Sequence, residues 1–511
     1  MMSLTALLCY AAGAYTLFWI VDFLYGQRLR VILFPKRYAV WAGTQAPPPV
    51  GLDVTYREIK SFVFSKGVDL LDVLFESAFE TAGYTAQQEP KFFVTADPPN
   101  IQAMLATQFK DFDTGSLRRL SLGPFLGRSI FTSDGDFWEH SRALFRPQFS
   151  RENINDLEAT EKASEALIAA CGDTTNGWLQ VALSPLFYNF TLDTATEFLF
   201  GESLDSQDVA IRKVRGDENG EAVASSQQFV EAMEIISTTL LWRMRASIWY
   251  FIMDSPKFRR ALRFIKSWAK KYVEAALEKP MPKRSVLSAL ATQCKDEDEL
   301  RNQTLAILFA GRDTTASLLG WIFVRLSLNP DVYQKLREIV LAEFPIGARI
   351  TFSQIKSCRY LQHIISETLR LHPTVPVNIR VATRHTTLPV GGGPDGSSPI
   401  PIRKGSMIAY SVYFMHRRKD LWGEDALEYK PERWERKVPA WHYLPFSGGP
   451  RICLGQQFAL TEAGYMLIKM AQRFDVIEPV DWEEMAKMRR EMGITLAVKD
   501  QVRVRMHKAE Q

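Results

Sequence analysis

Residues Asp298 to Leu328 carry an uninterrupted helical pattern, with acidic residues ahead of it and Asn329-Pro330 behind it. At about 1.5 Å rise per residue such a helix is roughly 45 Å long, enough to cross a whole domain. Its centre, LAILFAGRDTTASLLGWIF, is apolar except for Arg312 and Asp313. Unpaired charge in an apolar interior is costly, so this pair needs a reason. Strand-like runs are few: Lys91–Thr95, Ile379–Thr387, Met407–Phe414 and Ile494–Met506. From about residue 50 to 511 there is no second linker, internal repeat or low-complexity tract. The expected fold is therefore mainly α with a minor β-sheet region, in one body over 52–511.

The first residues read differently. Leu4 to Val21 carry no formal charge and are almost wholly apolar. About 18 to 24 such residues can cross a hydrocarbon core. No basic residue precedes the run, whereas Arg28, Arg30, Lys36 and Arg37 follow it. That asymmetry makes 1–27 a retained transmembrane anchor with the rest of the chain in the cytosol, on the endoplasmic reticulum membrane. A cleaved signal peptide would need a basic leading segment and a small-residue cleavage site. Residues 28–51 form a basic linker ending in Pro47-Pro48-Pro49, which is stiff and extended. Leu240–Phe251, rich in Trp, Tyr, Phe and Arg, is either a second, shallow membrane contact or an ordinary amphipathic core helix.

Composition excludes several classes. The formal charge of +4, from 62 basic and 58 acidic residues, is too balanced for a nucleic-acid binder. Five cysteines in 511 residues, without a CxxC pair, exclude a disulfide scaffold and a zinc ribbon. Gly391-Gly392-Gly393-Pro394-Asp395-Gly396 has no P-loop lysine and reads as a turn between strands.

Phe446-Ser447-Gly448-Gly449-Pro450-Arg451-Ile452-Cys453-Leu454-Gly455 is the most informative segment. It reads as a glycine-rich turn followed by a cysteine that opens an apolar helix. A thiolate there is stabilised by the helix dipole and free N–H groups. Gly455 lets a flat ligand or a backbone approach closely. The other four cysteines read as small buried hydrophobes. Trp138 and Arg142 stand at i, i+4 and share a helix face, presenting two donors suited to carboxylates.

Phe446, Gly449, Arg451, Cys453 and Gly455 match the pattern F-x-x-G-x-R-x-C-x-G of the cytochrome P450 haem-thiolate monooxygenases, which this chain resembles. Further motifs follow in the family's order from about residue 135 to 460. The resemblance implies a single P450 fold and a haem b cofactor with Cys453 as axial iron ligand. Trp138, Arg142 and Arg451 would contact its propionates, and Ala310, Gly311, Phe446 and Gly455 would adjoin it. Asp313 and Thr314 resemble the acid–alcohol pair that delivers protons during dioxygen activation, although Asp313 can instead pair with Arg312. Gly311 and Thr314 would permit a local kink or widening of the helix. Glu367, Arg370 and Arg433 resemble the family's buried structural network, with Tyr429 where a Phe is usual. Phe309, Val375 and Val377 are candidate substrate contacts. Arg380 could reach a haem propionate, but as an arginine in a strand it reads rather as a surface group.

The phrases LPVGGGPDGSSP and HRRKDLWGEDALEYKPERW resemble the fungal microsomal branch that hydroxylates n-alkanes and fatty acids. The implied activity is insertion of one oxygen atom from O2 into a C–H bond of a hydrophobic substrate, long-chain alkane or fatty acid favoured. NADPH–cytochrome P450 reductase is the implied electron donor, cytochrome b5 a further candidate partner, and membrane lipid the setting. A fungal secondary-metabolite hydroxylase, a reductase-independent isomerase or dehydratase, and a non-oxygenase haem-binding membrane protein are the alternatives.

Overall fold

The computed structural model describes residues 71, 75–89, 91–151, 155–172, 174–214, 221–278, 285–499 and 501–510. The proposed anchor and the proline linker lie outside the described residues. The chain divides into two units, each of which it visits more than once.

One unit takes its described residues from Met1–Asp113, Val377–Glu424 and Pro439–Ile452. It is built on a five-stranded sheet of order β1 (Thr85–Glu89), β2 (Phe92–Thr95), β8 (Met407–Ser411), β5 (Val377–Ala382) and β3 (Phe112–Asp113). Only β2 and β8 run parallel; the other pairs are antiparallel. The triple-glycine segment turns a separate hairpin, β6 (Thr386–Gly392) with β7 (Ser398–Ile402). Phe93, Ile101, Met104, Leu105, Ile408 and Leu444 pack into one apolar cluster, which removes their side chains from water. The turn that leads to Cys453 is tied into this unit. His416 Nε2 accepts the Leu444 N–H at 2.9 Å. Gly449 has φ +64°, and a Cβ there would land on the Leu105 carbonyl oxygen, so only glycine fits.

The other unit takes its described residues from Thr114–Pro376, Asp425–Val438 and Cys453–Gln511 and is mostly helical. Its principal helices are α1 (Ser116–Leu126), α2 (Gly135–Phe145), α3 (Glu158–Ala170), α4 (Leu183–Phe200), α5 (Glu221–Arg245), α6 (Pro256–Glu278), α7 (Glu297–Leu328), α8 (Pro330–Glu343), α9 (Arg359–Leu371) and α10 (Gln456–Arg473). Two small sheets complete it: β4 (Trp178–Ala182), β12 (Arg503–Lys508) and β9 (Phe474–Pro479), and the hairpin of β10 (Arg490–Met492) and β11 (Leu496–Val498). Asp296 caps α7 by accepting the Glu299 N–H at 2.9 Å, and Pro330 opens the next helix. From Gln303 to Ser327 α7 is mostly buried. It passes the length and hydropathy test for a membrane span, alone among the described residues, but it is the core helix of this unit. Trp321 stacks on His372 at 3.8 Å and donates Nε1–H to the Leu496 carbonyl at 2.7 Å.

Three expected strands are shorter than their sequence pattern. Ile379–Thr387 bends at Thr383, whose N–H goes to the Asp111 carbonyl, so β5 ends at Ala382 and β6 begins at Thr386. The Met407 run stops at Ser411 because its hydroxyl caps a helical turn over Val412–Met415. Ile494–Met506 splits into β11 and β12. Side-chain type cannot report the first two breaks, since one is made by a hydrogen bond to a distant residue and the other by a local cap.

Candidate active site

Between Gln303 and Ser327, α7 leaves four residues less than fully buried: Ile307, Ala310, Gly311 and Thr314. The spacing i, i+3, i+4, i+7 puts them on one helix face. A buried helix that keeps such a stripe open borders a space wider than side-chain packing leaves. Gly311 reinforces this. A Cβ there would meet only the Ala195 Cβ, at 3.7 Å. Glycine in a helix interior costs about 1 kcal/mol relative to alanine, and no protein atom demands it here. Thr314 donates its hydroxyl to the Ala310 carbonyl at 2.7 Å. The helix stays α-helical throughout.

Asp313 and Phe309 are off that stripe. Phe309 is buried edge-on against Phe125 at 5.7 Å. Ile307, absent from the sequence-based set, holds the open position instead. The Asp313 carboxylate accepts from Arg312 Nη1 at 2.9 Å and from the Ser237 hydroxyl at 3.2 Å. The Arg312 guanidinium lies 5.1 Å over the Tyr188 ring, and its backbone carbonyl accepts the Thr191 hydroxyl at 2.9 Å. The charged pair is therefore neutralised internally, which is how an apolar helix tolerates it.

Cys453 stands two residues before Gly455, the residue that caps α10. Among the described cysteines Cys171, Cys294 and Cys358 are buried and Cys453 is accessible. Surrounding protein nevertheless desolvates the thiol and raises its pKa. The Gly455 N–H and the Arg142 guanidinium act in the opposite direction. The dipole argument from sequence thus names the right contacts, but desolvation of the free thiol outweighs them. A Cβ on Gly455 would meet Phe149 at an ordinary 3.5 Å, so the protein itself does not require glycine there.

Trp138 is buried and Arg142 half-buried, both on α2. Burial lowers the Arg142 pKa, Arg146 adds to this, and Cys453 opposes it. Val375 is half-buried in this same unit. Phe446, Arg451 and Val377 belong to the first unit: Arg451 closes a single 3-10 turn, Gly449–Arg451, and Val377 opens β5. Arg380 in β5 is buried and lies 5.7 Å over the Tyr410 ring, which corrects its reading as a surface group.

Glu367 and Arg370 are fully buried and meet in a two-pronged ion pair at 2.9 and 2.8 Å. Arg370 also donates to the Ala426 and Glu428 carbonyls. Arg433 reaches Glu367 only at 3.4 Å; its shorter bond, 2.9 Å, goes to Asp425. Lys430 N–H and Trp434 Nε1–H satisfy the remaining Glu367 lone pairs. Asp425 and Trp434 are members that motif reading missed. The Tyr429 hydroxyl is accommodated by Thr368 at 3.1 Å.

Glu462, on α10 nine residues after Cys453, was also missed. It is buried, and burial pushes its carboxyl up to about 8. Thr194 is its polar neighbour and opposes this shift, but that hydroxyl is also in place to donate to the Phe190 carbonyl at 3.1 Å, so burial prevails. A protonated Glu462 has a proton to offer the Thr194 oxygen.

The cytochrome P450 family model matches residues 73–503. The chain belongs to the cytochrome P450 family. It is 43% identical over 458 residues to cytochrome P450 monooxygenase alt2 of Alternaria solani, covering 85% of this chain and 84% of that protein. Against cytochrome P450 monooxygenase g430 of Fusarium sp the identity is 44% over 405 residues, 76% and 70% of the two chains. Against cytochrome P450 52A1 of Candida tropicalis it is 40% over 447 residues, 83% and 80%. This P450 is thus an oxidoreductase of a monooxygenase family, and membership implies haem, O2, a substrate and a redox partner.

Proposed function

We propose that this P450 is a membrane-bound haem-thiolate monooxygenase that hydroxylates long-chain alkanes or fatty acids with electrons from NADPH through a flavoprotein reductase. One pairing carries the proposal: a solvent-reachable cysteine leading into α10, and an open stripe on the otherwise buried α7 of the same unit. The residues suit a flat haem b. Gly311 and Gly455 leave room that the protein does not use, and Trp138 and Arg142 supply propionate donors. Arg451, close to Cys453 in the chain, is a third donor.

Cys453 would hold the iron. A coordinated metal deprotonates a thiol outright, which overrides the burial effect on the free group. When bound, haem with a thiolate ligand supplies the O–O cleavage and C–H oxidation chemistry. The chain's own part is positioning and proton supply. Ile307, Ala310 and Gly311 offer an apolar surface to a hydrocarbon chain. The Thr314 hydroxyl donates to Ala310, which leaves its oxygen lone pairs as a proton-accepting point on the stripe. Asp313, one residue away, is the acid partner of this hydroxyl in the proposed supply.

Residues Ser247–Met253 carry Trp249, Phe251 and Ile252 at 59, 54 and 62% exposure. Lys257, Arg259, Arg260 and Arg263 are exposed just beyond. Apolar side chains bordered by basic ones suit an anionic lipid surface, so this segment is read as a second contact with the endoplasmic reticulum membrane.

The test is a carbon monoxide difference spectrum of reduced membranes carrying the protein, beside Cys453→Ser. A strongly red-shifted Soret band that the variant lacks is expected. A folded haem protein without that band would remove Cys453 as ligand. In turnover, Thr314→Ala should divert NADPH electrons from product to peroxide; unchanged coupling would remove Thr314 from proton supply.

A further inference from the structure

Asp313 has two partners among the described residues, and they differ in what they can do. Arg312 holds the carboxylate through its guanidinium, which is a fixed donor and not a proton carrier. Ser237 can carry a proton. Its hydroxyl donates to Asp313 Oδ2 at 3.2 Å, across from α5 to α7. On the same helix, the Thr239 hydroxyl turns back to the Ile235 carbonyl at 2.7 Å, the ordinary fate of a helical hydroxyl. Ser237 is half-buried, and Glu234 and Thr238 beside it are exposed, whereas Asp313 is buried. A hydroxyl on a part-exposed residue therefore meets a carboxylate whose side chain is only 13% exposed. The other groups around Asp313 do not offer this. Tyr188 lies under Arg312, and the Thr191 hydroxyl is committed to the Arg312 carbonyl.

We propose that Ser237 is the proton inlet of this P450, reloading Asp313 from solvent, while Arg312 is a positioning residue that keeps the carboxylate turned toward α5. In the step, a water or buffer acid outside gives a proton to the Ser237 oxygen as the serine's own proton crosses to Asp313 Oδ2. The O–H bond of the outside acid and that of the serine break, and two new O–H bonds form. Serine ends neutral, Asp313 ends neutral, and the outside acid carries one proton fewer. The proposal rests on the reading of Asp313 and Thr314 as the proton supply. It also ties that supply to the position of α5, because a displacement of about 1 Å at Ser237 would take the bond past hydrogen-bond range.

The experiment uses the full-length protein in membranes, as Ser237→Ala, Ser237→Thr and, in parallel, Thr314→Ala. The first readout needs no turnover. The infrared carboxyl bands of the resting protein, with the Asp313 band identified by its loss in Asp313→Asn, should shift in Ser237→Ala and return in Ser237→Thr. The second is peroxide released per NADPH with its solvent deuterium isotope effect. Ser237→Ala should raise peroxide release roughly threefold to tenfold and enlarge the isotope effect, and Ser237→Thr should restore both. An unchanged Ser237→Ala, or a Ser237→Thr as uncoupled as Ser237→Ala, would overturn the inlet. If Thr314→Ala also leaves coupling intact, the reading beneath it falls instead.

Discussion

Replacing Glu462 by glutamine removes a titration that the fold opposes. In the folded chain the carboxyl is raised from 4.5 to about 8 by burial, which outweighs the opposing effect of Thr194. The unfolded chain releases this proton near 4.5, so between the two values the unfolded state binds fewer protons and stability falls as pH rises. Each pH unit in that window is worth about 1.4 kcal/mol. The penalty is absent below 4.5, reaches about 3 kcal/mol at pH 7 and levels off above 8. Glutamine keeps the shape and offers an N–H to the Thr194 oxygen without the titration. Glu462→Gln should therefore be more stable than the parent at pH 7 by up to about 3 kcal/mol, with a gain that shrinks toward pH 5. Urea unfolding followed by circular dichroism at pH 5.5, 7 and 8 measures it. A variant less stable than the parent at pH 7, or a difference independent of pH, would show that Glu462 is ionised and paired in the fold, and would refute the argument.

Gly311→Ala should raise the stability of the haem-free protein by about 1 kcal/mol, since the helix gains propensity and only Ala195 comes near the new methyl. The same methyl should impair haem uptake or the substrate-induced spin-state shift, and an unaffected holoenzyme would mean the stripe borders no ligand. Arg370→Ala strands a fully buried Glu367 and should cost about 3–5 kcal/mol, read as loss of folded haem protein on expression. Arg433→Ala, which removes a weaker and more exposed contact, should cost clearly less, and the reverse order would contradict the geometry. Exchanging Trp249, Phe251 and Ile252 together for serine should weaken retention on anionic vesicles of a chain lacking residues 1–51, without changing its carbon monoxide spectrum.

Much of this protein is local in origin and legible from its chain alone. The α7 helix is written as a run of helix formers between an acidic start and Asn329-Pro330, and it forms over Glu297–Leu328. The cysteine motif, Trp138 with Arg142, and Glu367 with Arg370 follow from fixed spacing on one turn or one helix face. Family membership was carried by those same spacings. The sequence also set the burial of Cys171, Cys294 and Cys358, since a cysteine outside a ligand motif packs as a small hydrophobe.

Tertiary structure decided whatever depends on partners distant in the chain. Asp313 and Thr314 are neighbours in sequence, yet about 100° around the helix separates them, and one meets Arg312 and Ser237 while the other meets the open stripe. Arg433 turns chiefly to Asp425, and Arg380 is enclosed where strand residues are commonly exposed. Glu462 looks like any helical glutamate until α4 closes over it with Thr194 and supplies no charge. Helix period and residue type state what a side chain can do. Desolvation and the nearest opposing group, which exist only after distant segments pack, determine what it does.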